Sequence, residues 1–215
     1  MDSSLDKLPL LCQCRILQLL CEPRDIRSAR LTCRALREAS ARVRWRVLRV
    51  RSRQEFEALT PAVLGTLHTL DMSWRTDITD VRALAGIHAL TMRGCTGVTD
   101  VSALAGIRKL WMSGCTGITD VSALRGIRKL FMCGCIAVKD VSALVGIDIL
   151  DMSGCTGVRD LSALIGIRKL FMCGCTGITD VSALVGIRFL FICRNQRDTA
   201  GLDVLRASGT RLHVQ

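Results

Sequence analysis

From Leu67 onward the apolar residues recur, with the rest of the sequence, every twenty positions. "IRKLWMSGCTGITDVSALRG" (Ile107–Gly126) is followed by "IRKLFMCGCIAVKDVSALVG" (Ile127–Gly146), "IDILDMSGCTGVRDLSALIG" (Ile147–Gly166) and "IRKLFMCGCTGITDVSALVG" (Ile167–Gly186). "IHALTMRGCTGVTDVSALAG" (Ile87–Gly106) precedes them, and "LHTLDMSWRTDITDVRALAG" (Leu67–Gly86) opens the array. "IRFLFICRNQ" (Ile187–Gln196) begins a seventh unit and then diverges. The shared skeleton is I-x-x-L-x-M-x-x-C-x-x-I-x-x-V-x-x-L. A fixed period in this range predicts a solenoid, in which each unit buries its apolar face against its neighbours and is unstable alone. The L-x-M alternation predicts a short strand whose intermediate side chain points outward. The aspartate before V-S-A-L predicts a cap on a short helical or 3-10 turn, and the following glycine ends that turn at positive φ.

The opening of this skeleton matches L-x-x-L-x-L-x-x-N/C-x-L, so residues 67–196 resemble the leucine-rich repeat family. The resemblance implies an α/β fold, with parallel strands on a concave face and short turns or 3-10 segments on a convex one. Asn195 falls on the cysteine position of its own unit, the alternation that family shows. Residues 197–215 read as a C-terminal cap, with "DTAGLDVLRASG" a short helix and "TRLHV" a last strand.

The pair Cys173-Gly-Cys175 invites a metal or redox reading, and the repeat argues against it. Cys95, Cys115, Cys135, Cys155 and Cys175 share the buried column and read as a structural ladder, cysteine being a small buried hydrophobe. Cys133/Cys135 and Cys173/Cys175 lie two units apart, roughly 10 Å at ~4.8 Å per strand. Zinc at ~2.3 Å per sulfur needs its ligands within about 4 Å of one another. The aspartates Asp80, Asp100, Asp120, Asp140, Asp160 and Asp180 supply one carboxylate per unit, too few for a calcium-binding repeat. His68 and His88 share a column without a third ligand. No metal or cofactor is expected.

The units disagree at the outward positions. One column reads Asp71, Thr91, Trp111, Phe131, Asp151, Phe171 and Phe191. Two residues earlier come Thr69, Ala89, Lys109, Lys129, Ile149, Lys169 and Phe189; two residues later, Ser73, Arg93, Ser113, Cys133, Ser153, Cys173 and Cys193. Exposed aromatics between lysines make a candidate site for a protein target. Lys109, Trp111, Lys129, Phe131, Asp151, Lys169, Phe171 and Phe191 are its candidate residues. Asp151 sits between two phenylalanines and reads as an acceptor for a basic group of the partner.

Ahead of the array, "LPLLCQCRILQLLCEPRDIRSARLTCRALREAS" (Leu8–Ser40) has apolar residues at helical spacing, broken at Pro23. It resembles an F-box through Leu8-Pro9, Ile16-Leu17, Leu20, Glu22–Ile26, Ala29, Leu31 and Thr32–Glu38, with Trp45 where that family often has a tryptophan. Leu11 replaces its usual acidic residue, and Leu36 replaces an aromatic. The resemblance implies a small all-α domain at residues 1–45, with residues 46–66 a linker and N-terminal cap. It further implies docking of a Skp-type adaptor of a cullin–RING (SCF) ubiquitin ligase through Leu8, Pro9, Ile16, Leu17, Leu20, Ile26, Leu31 and Leu36. The alternative is a helical cap on a free-standing leucine-rich interaction scaffold.

Charge and composition narrow the reading further. The 215 residues are 49% hydrophobic and 23% charged, which suits a folded chain. The net charge of +11 favours an acidic or anionic partner. "ARVRWRVLRVRSR" (Ala41–Arg53) alternates arginine with apolar residues, as a half-buried strand does. No nucleic-acid-binding signature accompanies it, so nucleic acid is not an expected partner. No apolar run reaches the ~18 residues of a membrane span, and the start lacks the basic segment of a signal peptide. Twelve cysteines then read as reduced thiols in an intracellular, cytoplasmic or nuclear protein. No nucleotide-binding glycine loop, G-x-S-x-G elbow or H-E-x-x-H is present, and no enzymatic activity is expected.

Overall fold

The computed structural model describes residues 47–64, 67–196 and 198–214. The F-box-like segment, with its eight candidate docking residues, lies outside the described residues, as do Arg42, Arg44 and Trp45.

Among the described residues nine short strands form one parallel sheet in chain order: β1 (Leu48–Arg49), β2 (Leu70–Asp71), β3 (Ala89–Thr91), β4 (Lys109–Trp111), β5 (Lys129–Phe131), β6 (Ile149–Asp151), β7 (Lys169–Phe171), β8 (Phe189–Ile192) and β9 (Arg211–Val214). From β2 to β8 each residue pairs with the one twenty positions on, as in Leu110↔Leu130↔Leu150↔Leu170. The two ends depart from this period: Leu48 pairs with Leu70 and Leu190 with Leu212. These terminal strands cover the open sheet edges that the repeat itself would leave unpaired.

The return path of each unit runs through a 3-10 turn, at Arg82–Leu84, Ser102–Leu104, Ser122–Leu124, Ser142–Leu144, Ser162–Leu164 and Ser182–Leu184. The expected aspartate caps are present. Oδ1 of Asp100, Asp120 and Asp140 accepts the backbone N–H two residues on at 2.7 Å, and that of Asp160 and Asp180 at 2.8 Å. These bonds, from the serine backbone first, hold the Asp100, Asp140, Asp160 and Asp180 carboxyls below their usual range. The glycine after each turn is left-handed, from φ 77° at Gly146 to φ 89° at Gly186. A second left-handed column, at Gly94, Gly114, Gly134, Gly154 and Gly174, follows strands β3 to β7. Trp74 occupies that position in the first unit with φ 66°, a conformation that costs a side-chain-bearing residue roughly 1–2 kcal/mol. Its ring lies over Gly94, where an added Cβ would meet it at 2.3 Å.

The core is one continuous cluster running the length of the stack. The units from Ile87 to Gly186 contribute equivalent sets, in one case Ile127, Leu130, Met132, Cys135, Val138, Val141 and Leu144, all at most 2% exposed; the first unit has the half-buried Arg75 at its cysteine position. Helix α1 (Arg53–Glu57) closes one end with buried Phe56, its start capped by Ser52 Oγ accepting from Glu55 N–H. The short helix α2 (Pro61–Leu64) follows it. At the other end α3 (Leu202–Ala207) buries Leu202 and Leu205. The architecture is a repeat solenoid of parallel strands and 3-10 turns, which fits the leucine-rich repeat pattern read from the sequence.

Candidate interaction surface

The buried cysteines are anchored from below the strand. Each thiol donates to the methionine carbonyl of the preceding unit: Cys115 to Met92 at 3.0 Å, Cys135 to Met112 at 3.1 Å, Cys155 to Met132 at 3.2 Å and Cys175 to Met152 at 3.0 Å. Burial pushes the Cys115 and Cys155 thiols up to about 12 and those of Cys135 and Cys175 up to about 11. They are neutral donors that give a second hydrogen bond to a carbonyl already accepting the N–H of its own unit's cysteine, as Met132 does from Cys135 at 3.1 Å. The ladder ends differently from the sequence expectation. Asn195, on the cysteine position of the last unit, faces solvent. Gln196 is buried instead, donating from Nε2 to the Cys175 carbonyl at 3.3 Å and accepting the Cys193 N–H at 3.1 Å. Here a 3-10 turn, Arg194–Gln196, stands where earlier units have a left-handed glycine, and it brings position 196 rather than 195 into the core.

Cys133, Cys173 and Cys193 are half-buried on the outward side. Cys173 hydrogen-bonds Cys193, its neighbour on the next rung; burial first, and then this contact, push it up to about 12. In native protein an alkylating reagent is therefore expected to modify Cys133 and Cys193, and Cys173 increasingly as pH rises. Cys115, Cys135, Cys155 and Cys175 should react only after unfolding. Peptide mapping of the adducts checks this, and native labelling of the buried set at the rate of Cys133 would contradict the ladder.

The outward column is set by strand register, which aligns Thr91, Trp111, Phe131, Asp151, Phe171 and Phe191. All are half-buried rather than exposed, and the aromatics among them cover one another. Trp111 stacks on Phe131 with centroids 5.5 Å apart and planes 1° from parallel. Phe171 stacks on Phe191 at 4.1 Å and 13°, and Phe191 on His213 at 4.6 Å and 10°. His213 was not legible as a member of this column, because β9 joins two residues out of the repeat period. The flanking column holds Lys109, Lys129 and Lys169 half-buried. Lys169 Nζ sits 4.8 Å from the Phe189 centroid, with the Arg211 guanidinium 5.5 Å from the same ring. Ala89 is buried, so that flanking column carries no outward side chain in the second unit.

Two carboxylates belong to the aromatic column. Asp71 is fully engaged: Oδ1 accepts Ser73 N–H at 3.0 Å and Ser73 Oγ–H at 2.7 Å, and Oδ2 accepts Arg49 Nε–H at 3.0 Å. Burial alone would raise its pKa, but these bonds outweigh it and hold the carboxyl below its usual value. Among the described residues Asp151 keeps only the counterpart of the Ser73 backbone bond, Oδ1 accepting Ser153 N–H at 3.1 Å. Asp148 on the same rung is paired with Arg128 at 2.6 Å.

Away from this face, exposed aliphatics form a short ridge after the 3-10 turns, at Val145 (61% exposed), Ile165 (66%) and Val185 (52%). Among the described residues no group of three or more His, Cys, Asp or Glu is placed to hold a metal, and no helix is long and apolar enough to cross a membrane. His68 and His88 do meet, with ring centroids 5.7 Å apart. No family model matches the sequence, and no curated protein matches it significantly.

Proposed function

We propose that this chain is a non-enzymatic protein-interaction adaptor whose strand-side face holds a target protein. The observation that carries the reading is the outward column of stacked aromatics flanked by lysines, on a scaffold whose buried columns barely vary. Stacking fixes the rings before any partner arrives, so little side-chain entropy is lost on binding. Rigid aromatic anchors of this kind concentrate interface energy.

The finer reading is a substrate receptor of a cullin–RING (SCF) ubiquitin ligase, acting inside the cell. It rests on the F-box resemblance of Leu8–Ser40 together with the repeat array that follows. The chain would bind a Skp-type adaptor through Leu8, Pro9, Ile16 and Leu17 and present the target held on the array. The alternative is a scaffold with the same target face and no ligase role. Pro9→Ala combined with Ile16→Ala separates them. On the receptor reading the double variant loses a purified Skp-type protein in a pull-down, while its thermal melt and its target binding stay unchanged. A wild-type chain that never retains the Skp-type protein would favour the scaffold.

A further inference from the structure

The aromatic column is interrupted once. Phe131 and Phe171 stand on either side of Asp151 in register, two rungs apart. At ~4.8 Å per rung their rings are separated by roughly 10 Å, enough for one planar layer, which at ~3.5–4 Å contact spacing needs about 7–8 Å. Each ring is backed by its own stacking partner, Trp111 or Phe191, so the slot has preformed walls. Its floor is the Asp151 carboxylate, and no hydrogen bond or ion pair to Oδ2 occurs among the described residues. Of the neighbouring cations, Arg128 pairs with Asp148 and Lys169 lies over Phe189, while Lys129, one strand away, makes no hydrogen bond or ion pair with Asp151 among the described residues. Two ring faces, negative by their quadrupole, and a carboxylate floor make a site for a cation.

The first unit shows which cation this column takes. At Asp71 the same Oδ1 bond to the backbone two residues on is present, and Oδ2 is filled by the guanidinium of Arg49. Asp151 repeats that arrangement four units later without an arginine of its own. We propose that the slot takes an arginine side chain of the target, its guanidinium laid against Phe131 or Phe171 and paired with Asp151 Oδ2. A guanidinium satisfies both requirements, stacking as a plane and donating in the carboxylate plane; an ammonium meets only the charge. The proposal rests on the target-face reading above and names the chemistry that the face selects.

The test is an NMR titration of the full chain with two blocked tripeptides, acetyl-Gly-Arg-Gly-amide and its lysine counterpart. The arginine peptide should give saturable shifts centred on Phe131, Asp151 and Phe171, with affinity at least ~5-fold above the lysine peptide. Asp151→Asn keeps an oxygen to accept Ser153 N–H, so its fold should be preserved while arginine affinity falls at least ~10-fold. Equal response to both peptides, no saturable shift up to ~20 mM, or full retention in Asp151→Asn would overturn the slot. The face itself is judged separately, by target binding in variants at Trp111 and Phe131. If those lose the target and Asp151→Asn does not, the slot fails and the face stands.

Discussion

Leu150→Ala is expected to destabilise the array by about 2–5 kcal/mol, the cost of an unfilled cavity in a packed core. Leu150 is fully buried and sits in the middle of the leucine ladder, with Leu130 and Leu170 in register on either side. Neither neighbour can collapse into the gap without moving its own strand. Because units contact only adjacent units, the lesion also weakens coupling between the two halves of the stack. Hydrogen exchange should then show β5 to β7 opening at lower free energy than in the parent chain. Leu212→Ala is the comparison. It occupies the same ladder at the last strand, where it is only half-buried and has a partner on one side. Denaturant unfolding of the two variants should place the Leu150 loss well above the Leu212 loss. Equal losses would mean that stability is not carried by a stacked core.

The ladder was readable from the sequence because every unit states the same constraints again. The alternation around Leu130 and Met132, the cap at Asp140 and the left-handed glycine at Gly146 each recur in six registers, so local ambiguity averages out. What escaped the sequence lies where that repetition stops. Asn195 holds the ladder position by spacing, but a 3-10 turn at Arg194–Gln196 replaces the repeat's own turn and Gln196 fills the role. His213 enters the aromatic column because a cap strand joins at its own offset. Trp74 stands in a left-handed position that later units give to glycine, and the repeat pattern did not mark that position as special. The outward column itself was legible from period-two geometry. Its stacking was not, since whether two rings on adjacent rungs lie flat together depends on rotamers that sequence spacing does not encode. The N-terminal segment carries its resemblance in residues outside the described structure, so the docking residues from Leu8 to Leu36 stand on sequence alone.

Alanine at both Trp111 and Phe131 is expected to cost target binding at least ~2 kcal/mol, about a 30-fold weaker Kd. These two rings form one stacked unit, and removing either strips its partner of support. The loss of the stack itself should reduce stability by only ~0.5–1.5 kcal/mol, because both Cβ positions project away from the core while Leu110, Met112, Leu130 and Met132 remain buried beneath. Binding and folding therefore separate in the same variant: a target affinity measured by calorimetry falls, and the thermal midpoint moves little. Asp151→Lys should act differently, changing which partners are kept by placing a cation between Phe131 and Phe171. The opposite edge provides the contrast. Arg125 belongs to a column after the 3-10 turns that runs from Ala85 and Ala105 through it to Val145, Ile165 and Val185, and Arg125→Ala should leave target binding unchanged. Ile165→Ser tests the exposed aliphatic ridge directly. If Ile165→Ser releases the target and the aromatic pair does not, the binding face belongs to that ridge and not to the strands.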